Sequence, residues 1–489
     1  MSRQNRRRYF LLGILFFCSV ISHAQFFDSL QAAVGLASRF SSENYQSFWL
    51  IANQHGAVAD RRSDFSPYIR IANKHVIGEP EYQNDHGFYD YNEISLQYGL
   101  SIYNNNHFKS TIIEEGYVKL EYKNWSLRAG RFEETNDIDP LLSSGSFGVS
   151  ANALPIPKIG IAVMDYTEVP FTNGWLQFKG TFAHGWLGHD RYIKNSLYHE
   201  KTLYLRAGTG ALKLYGGIQH FAEWGGQRGD QQTDQSVQGF WNVFFLKETN
   251  NDNADHRGLL EAGAYWDNDA IGLHGYLQKP FEGSKDIGLK NTNALAGIIL
   301  TIKNEDSHLK KLLFEVISTK GINNSIPANQ RESYYNNNTY KTGWEYKNNI
   351  IGTPLFINRE RANKYFPEIE PFDWNAPDAE IPPNANIVNN RLFGIHAGAL
   401  YSFSDPLQGR TLLTYTKNYG NIAKSDPFTP YKSQWYFMQE ISYRMPDKNL
   451  SLTAGLGFDV GQLTKVAVGG GFVGIEWRFN DYKNADKLY

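Results

Sequence analysis

The chain has 489 residues, with 48 Lys and Arg against 50 Asp and Glu, and a single cysteine. Such a near-balance of charge gives no support to a nucleic-acid partner, and one cysteine excludes a disulfide framework. At this length the chain forms two or three soluble domains or one very large one, held by something other than covalent staples.

The first segment reads MSRQNRRRYFLLGILFFCSVISHA. Arg3, Arg6, Arg7 and Arg8 form a basic region, and the 13 residues from Tyr9 to Ile21 are an apolar run too short to span a bilayer as a helix. Ser22-His23-Ala24 fits a small-residue cleavage site. Residues 1–24 are therefore expected to be an export signal, with the mature chain running from Gln25. Phe17 stands before Cys18 where a lipid-anchored cysteine needs a small residue. Removing the segment takes away Cys18 and four positive charges, which changes the net charge from −2 to about −6.

Beyond it, no window approaches the roughly 18 continuous apolar residues of a spanning helix. Apolar and polar residues alternate instead, the pattern of a strand with one oily and one wet face. Alternation begins at residues 33–37 and is clear at Ile94, Leu96, Tyr98, Leu100 and Ile102. Val118, Leu120 and Tyr122, a Lys123-Asn124 turn, then Trp125, Leu127 and Ala129 read as a hairpin. Further strands follow at Leu176–Phe182, Leu203–Ala207 and Leu212–Ile218, while residues 312–318 are apolar on both faces. A Gly/Gln/Asp stretch at 225–235 and a segment at 358–390 with five prolines read as loops. In LSLTAGLGFDV, Leu452, Leu456, Phe458 and Val460 are predicted to face lipid, with Asp459 and its parity toward an aqueous interior. Gly469, Gly470 and Gly471 read as a turn or strand bend before the last strand, Val473 to Phe479.

The wet faces carry strand-centre charges: Lys119, Glu121, Arg128, Lys179, Arg206, Glu476 and Arg478. Tyr98, Tyr103, Tyr122, Trp125, Trp186, Tyr215, Trp477 and Phe479 suit two interfacial girdles. A spanning strand needs about 9–11 residues, so the mature chain allows on the order of 16–18 strands, an even number with both termini in the periplasm. The predicted fold is all-β, a transmembrane antiparallel β-barrel occupying residues 25–489 with its polar stretches as extracellular loops.

Motifs for catalysis are missing: the sequence holds no HExxH, P-loop, paired CxxC or GxSxG. His184, His189 and His199 are the closest histidines and fit ordinary barrel or loop positions. The sequence thus predicts no catalytic residue, no metal site and no cofactor. The stretch at residues 332–356 is different. Tyr334, Tyr335, Tyr340, Trp344 and Tyr346 stand among asparagines. Flat aromatic faces with amide donors and acceptors suit sugar rings, so these five are the candidate polysaccharide contacts. A girdle followed by a polar turn would give the same composition.

Seven segments resemble the capsule assembly Wzi family of outer-membrane proteins, in the form common among Bacteroidetes. They are SFWLIANQHG (47–56), NALPIPKIGI (152–161), FTNGWLQFKGTFAHGW (171–186), YHEKTLYLRAG (198–208), LYGGIQHFAEWGG (214–226), LQKPFEG (277–283) and YYNNNTYKTGWEYKNNIIGTPLF (334–356). The resemblance implies an 18-stranded outer-membrane barrel that binds and organises capsular or extracellular polysaccharide at the cell surface, lectin-like and without catalysis. Its expected partners are that polysaccharide and outer-membrane lipid, and it leaves the oligomeric state open. The enterobacterial type carries a helical bundle before the barrel. Here fewer than ten residues separate Gln25 from the strand-like residues 33–37, so little or no such bundle is expected. A porin-like channel for small solutes is the second reading. It needs an open lumen with converging charges such as Lys119, Arg128 and Arg206, whereas a surface lectin allows loops such as FWLIANQHG to close it.

Overall fold

Alternation becomes a wall of eighteen strands in the computed structural model, which describes residues 29–77, 94–134, 138–247, 254–283, 287, 292–321, 333–421 and 427–479. The proposed export segment, 1–24, lies outside the described residues. The first nine strands are β1 (Gln31–Ser41), β2 (Ser63–Ile77), β3 (Ile94–Asn105), β4 (Ser110–Tyr122), β5 (Trp125–Arg131), β6 (Lys158–Glu168), β7 (Leu176–Gly188), β8 (Ser196–Ala207) and β9 (Leu212–Trp224). The second nine are β10 (Ala254–Asp267), β11 (Ile271–Phe281), β12 (Ala294–Ile302), β13 (Leu309–Ser318), β14 (Leu392–Ser404), β15 (Leu407–Asn418), β16 (Lys432–Met445), β17 (Leu450–Gly461) and β18 (Val468–Phe479). Each pairs antiparallel with its neighbours in sequence, and β1 closes the sheet against β18 with Ala32 opposite Phe479 and Ser41 opposite Gly470. Closure pairs the backbone of every strand and removes both edges, which hydrocarbon demands.

The two ends of the barrel differ. Where β1 begins and β18 ends, the described connections are two to seven residues long. At the other end the connections include much longer ones, 42–62, 132–157, 225–253 and 319–391. Short turns mark the periplasmic end and long loops the extracellular end. No helix among the described residues is long and apolar enough to cross a membrane. Two short ones are described, α1 (Val237–Phe244) and α2 (Arg359–Tyr365), both in the long loops.

Side-chain polarity is inverted relative to a soluble protein. Every strand exposes at least one large apolar side chain outward, among them Val34, Leu127, Leu205, Ile298, Leu413 and Leu456. Leu452, Phe458 and Val460 are likewise exposed. The opposite faces bury Arg128, Lys158, Glu200, Glu261, Glu315, Glu440, Asp459, Glu476 and Arg478. Several are ion-paired: Lys158 Nζ lies 2.7 Å from Glu200, Arg410 2.9 Å from Glu440, and Arg478 2.7 Å from Glu476. Tyr122, Trp125, Trp477 and Phe479 are exposed at the periplasmic end and Trp186 at the extracellular end, as girdles require. Tyr215 departs from that expectation. It points inward, where its hydroxyl donates to Glu261 at 2.9 Å. Tyr103 also turns inward, stacked on Tyr68.

The interior around Asp459 is filled rather than aqueous, which corrects the sequence expectation. The β1–β2 loop, the β5–β6 loop and the β13–β14 loop fold back into the barrel and share one apolar core with inward wall residues. A 3₁₀ turn, Phe48–Leu50, hangs from the wall: Phe48 N donates to Asp459 Oδ2 at 2.8 Å and Trp49 Nε1 to Thr414 Oγ1 at 3.0 Å. Residues 142–147 cross to other strands: Ser144 N donates to Glu315 Oε2 at 2.7 Å, Phe147 N to Gln278 Oε1 at 3.2 Å, and Leu142 O meets His396 Nε2 at 2.5 Å. The inward apolar face of residues 312–318 is thereby explained, since Leu313 and Ile317 meet this plug. Glycines make the approach possible. A Cβ on Gly457 would collide with Ser47 Oγ, and one on Gly470 would stand 3.2 Å from Leu50 Cδ1. Gly469, Gly470 and Gly471 thus belong to β18 itself, not to a turn.

Candidate functional site

The five aromatics singled out in the sequence lie in the plug and are nine-tenths or more buried. Trp344 Nε1 donates to Gly148 O at 2.8 Å, and its ring packs between Tyr198, Phe221 and the Arg257 guanidinium, 4.8 Å away. Tyr335 donates to Phe147 O at 2.6 Å and packs on Phe356. Tyr334 accepts from Asn293 Nδ2 at 2.8 Å, and Tyr346 accepts from Arg131 at 2.7 Å. Tyr340 sits apart from these four, in a small cluster with Tyr192, Ile193 and Ile381. The fold thus uses all five to join loop to loop and loop to wall.

Directly above, the same loops leave a cleft of about 490 Å³ at the extracellular mouth. Its walls come from residues 44–61 of the β1–β2 loop, the β3–β4 turn, Asn152, and residues 348–364. Seven asparagines line it: Asn44, Asn105, Asn106, Asn152, Asn348, Asn349 and Asn358. Four brace the walls. Asn105 donates to Ala57 O at 2.9 Å, Asn152 to Ile350 O at 2.8 Å, Asn349 to Lys347 O at 3.1 Å, and Asn358 to Glu345 Oε2 at 2.8 Å. Among the described residues, the side-chain amides of Asn44, Asn106 and Asn348 carry no such bond and face the cleft. Asn106 and Asn348 have φ of 54° and 66°, a left-handed backbone that asparagine tolerates better than most residues. Phe48 and Phe356 close its floor, both buried in the core below.

Charge on one wall is fixed by α2. Asn358 caps this helix, its Oδ1 accepting from Arg361 N at 3.0 Å. Arg361 then reaches Asp60 Oδ2 at 2.5 Å, Gln46 O at 3.0 Å and Tyr365 OH at 2.7 Å. Burial opposes the guanidinium charge, but Asp60 beside it outweighs burial and holds the pKa above its ordinary value. Beneath, burial pushes the Glu345 carboxyl up from its ordinary value, although Asn358 and Asn386 each donate to it at 2.8 Å. No single stretch of sequence announces this cleft, because its walls come from four distant segments. The asparagine runs at 104–106 and 348–349, each bordering a turn, were the available signal.

The histidines divide differently. His189 is exposed beside Asp190. His184 and His199 meet at 3.2 Å on the outer face of β7 and β8, and His220 and His256 at 3.1 Å on β9 and β10. Helix α1 covers this row from outside, with Phe240 5.1 Å from His184 and Phe244 6.2 Å from His199 between ring centroids. Its far side exposes Val237 and Trp241, with Phe245 beyond its end. The loop after β9 therefore lies along the barrel's outer surface, where an amphipathic helix suits the lipid interface.

Three comparisons bear on this architecture. The family described as capsule assembly protein Wzi matches residues 48–362. Among solved structures, Wzi of Escherichia coli is described as an outer membrane protein involved in group 1 capsule assembly and a carbohydrate-binding β-barrel. It is 11% identical with a TM-score of 0.55, over 91% of this chain and 84% of that one. OpdL of Pseudomonas aeruginosa is 10% identical with a TM-score of 0.47, over 92% and 98%. OccAB2 of Acinetobacter baumannii is 12% identical with a TM-score of 0.45, over 93% and 99%. At these identities the likeness is one of fold. No curated protein matches the chain.

Proposed function

The chain belongs to the capsule assembly protein Wzi family, and on that premise we propose that it is an integral outer-membrane barrel that binds and organises capsular or extracellular polysaccharide at the cell surface. The observation that carries this reading is the asparagine-lined cleft at the extracellular mouth of a filled barrel. Amides offer both donors and acceptors to sugar hydroxyls. Arg361, Lys364, Asp60 and Glu360 on the same wall suit a polymer that carries charge. Each contact is weak, and retention comes from repeats of one long chain rebinding the same mouth and neighbouring copies. No bond is made or broken, so the protein acts as a lectin and not as an enzyme.

Tyr334, Tyr335, Tyr340, Trp344 and Tyr346 contribute to glycan binding from beneath, by holding the loops whose outer residues touch the polymer. Residues 1–24 serve as the export signal and are removed before insertion. Mass spectrometry of the outer-membrane form should give an N-terminus at Gln25. The filled lumen disfavours the porin-like reading.

The test is binding of purified capsular polysaccharide to the detergent-solubilised barrel. Asn106→Ala and Asn348→Ala are expected to weaken binding while leaving the barrel folded. Deleting the gene should leave polymer synthesis intact and release capsule into the medium. Capsule that stays on the deletion strain overturns the reading.

A further inference from the structure

Beside the cleft, three side chains from separate segments converge. His55 comes from the β1–β2 loop, Glu114 from the extracellular half of β4, and Glu133 from the residues after β5. One ligating atom of each lies within 4.8 Å of the others. Each position has a structural cause. His55 has φ of 49°, and its backbone N is tied to Ala151 O at 2.5 Å, which points Nε2 at Glu133 Oε1, 3.4 Å away. Glu114 is the extra residue of a β-bulge: Ser101 pairs with Glu115, the next pair is Ile102 with Ile113, and Glu114 has no partner across the ladder. Bulges re-aim side chains in this way. Glu133 N donates to Glu115 Oε1 at 3.0 Å, which holds Glu133 against the bulge.

Glu114 supplies the independent observation. Its side chain is only 3% exposed and is aimed at the other two ligands. Its hydrogen-bond partner is Glu133, inside the cluster, and among the described residues it forms no ion pair with a cationic group. Arg70, whose charge acts on it, is committed to Glu476. Two carboxyls that meet in this way, one of them buried, hold together by sharing a proton, and ionising both at once is costly. A divalent cation removes the cost. Glu133 is half exposed, so solvent reaches the group from the extracellular side.

We propose that His55, Glu114 and Glu133 form a divalent metal site whose ligand class is a borderline transition cation, Zn²⁺ in the first instance. One imidazole nitrogen and two carboxylate oxygens match the donors Zn²⁺ takes and leave a position open to water or an outside ligand. Ca²⁺ asks for six to eight oxygens, which this set does not offer. A bound ion would cross-link two plug loops to the wall next to Gly56 and Val58, which line the cleft. The site itself does not depend on the polysaccharide reading, because its readout is the ion.

The experiment is calorimetric titration of Zn²⁺ into the full barrel, purified without a polyhistidine tag and stripped with chelator. Ca²⁺ is titrated in parallel. The expected result is one saturable Zn²⁺ per chain that excess Ca²⁺ does not displace, lost in His55→Ala and in Glu114→Gln. His55→Ala is the safer variant because it alters a loop and not the sheet, and heat-modifiable migration on gels checks that each variant is folded. Two results overturn the proposal. One is no saturable binding by the parent. The other is binding unchanged in folded His55→Ala, which would put the ion on the row of histidines under α1.

Discussion

Leu456 and Asp459 stand three positions apart on β17, yet Leu456 is 50% exposed and Asp459 has no exposed surface. The wall and the plug are made from the same strands and obey opposite rules. Outward positions need only be apolar, because lipid is an undemanding neighbour that fits any side chain. Inward positions are matched to particular partners, and around the plug those partners come from loops more than a hundred residues away. Asp459 accepts from Phe48 N, Thr414 from Trp49, and Glu315 from Ser144. Tolerance on the outside and specificity on the inside is the difference to probe.

The largest effect is expected at Trp344. Trp344→Ala empties a buried site that joins two loops to β8, β9 and β10, at a cost of about 3–5 kcal/mol to the plug. The eighteen strands should survive. Hydrogen exchange should quicken across residues 142–154 and 333–358, and planar-bilayer recordings should show openings that the parent lacks. Unaltered exchange would mean that the plug does not rest on this ring. On the wall, Leu456→Arg puts a charge near the membrane midplane and should cost about 2–4 kcal/mol, read from urea unfolding in lipid vesicles. It should leave glycan binding unchanged in the folded fraction, which separates wall from plug.

Smaller changes sharpen the contrast. Asp60→Asn removes the charged partner of Arg361, and losing that bond should cost about 1.5–3 kcal/mol locally. Exchange across α2 reports it. Tyr346→Phe deletes the hydroxyl that Arg131 donates to, with an expected loss of about 0.5–1.5 kcal/mol in chemical unfolding. Least of all should come from acidification at Asp190. Its hydrogen bond from Lys347 holds the carboxyl below the ordinary range. A depressed carboxyl stabilises the fold above its unfolded pKa, and that contribution fades as the pH falls through the folded value. Because both groups are largely exposed, exchange in residues 189–195 should quicken only slightly on acidification.

The alternation at Val118–Leu120 and Leu203–Leu205 announces a strand with a lipid side before any partner is known. A period-two pattern is local, and lipid imposes no requirement beyond hydrophobicity. Strand number and parity follow from span length, and the folded-in FWLIANQHG segment was legible as a way of closing the lumen. The aromatic stretch at 334–346 misled in one respect: its composition suits a sugar and a protein interior equally well. Tyr215 shows the same ambiguity, since an aromatic on a strand can face a girdle or a Glu261 carboxylate.

What the sequence determined by itself is therefore the barrel: which residues face lipid, how many strands fit, and where the long loops lie, because each depends on neighbours two positions away. Only the tertiary structure decided what fills the barrel, where the seven asparagines meet, and that His55, Glu114 and Glu133 share one corner. Those groupings join residues tens to hundreds of positions apart. Their energies depend on distances that no local pattern encodes.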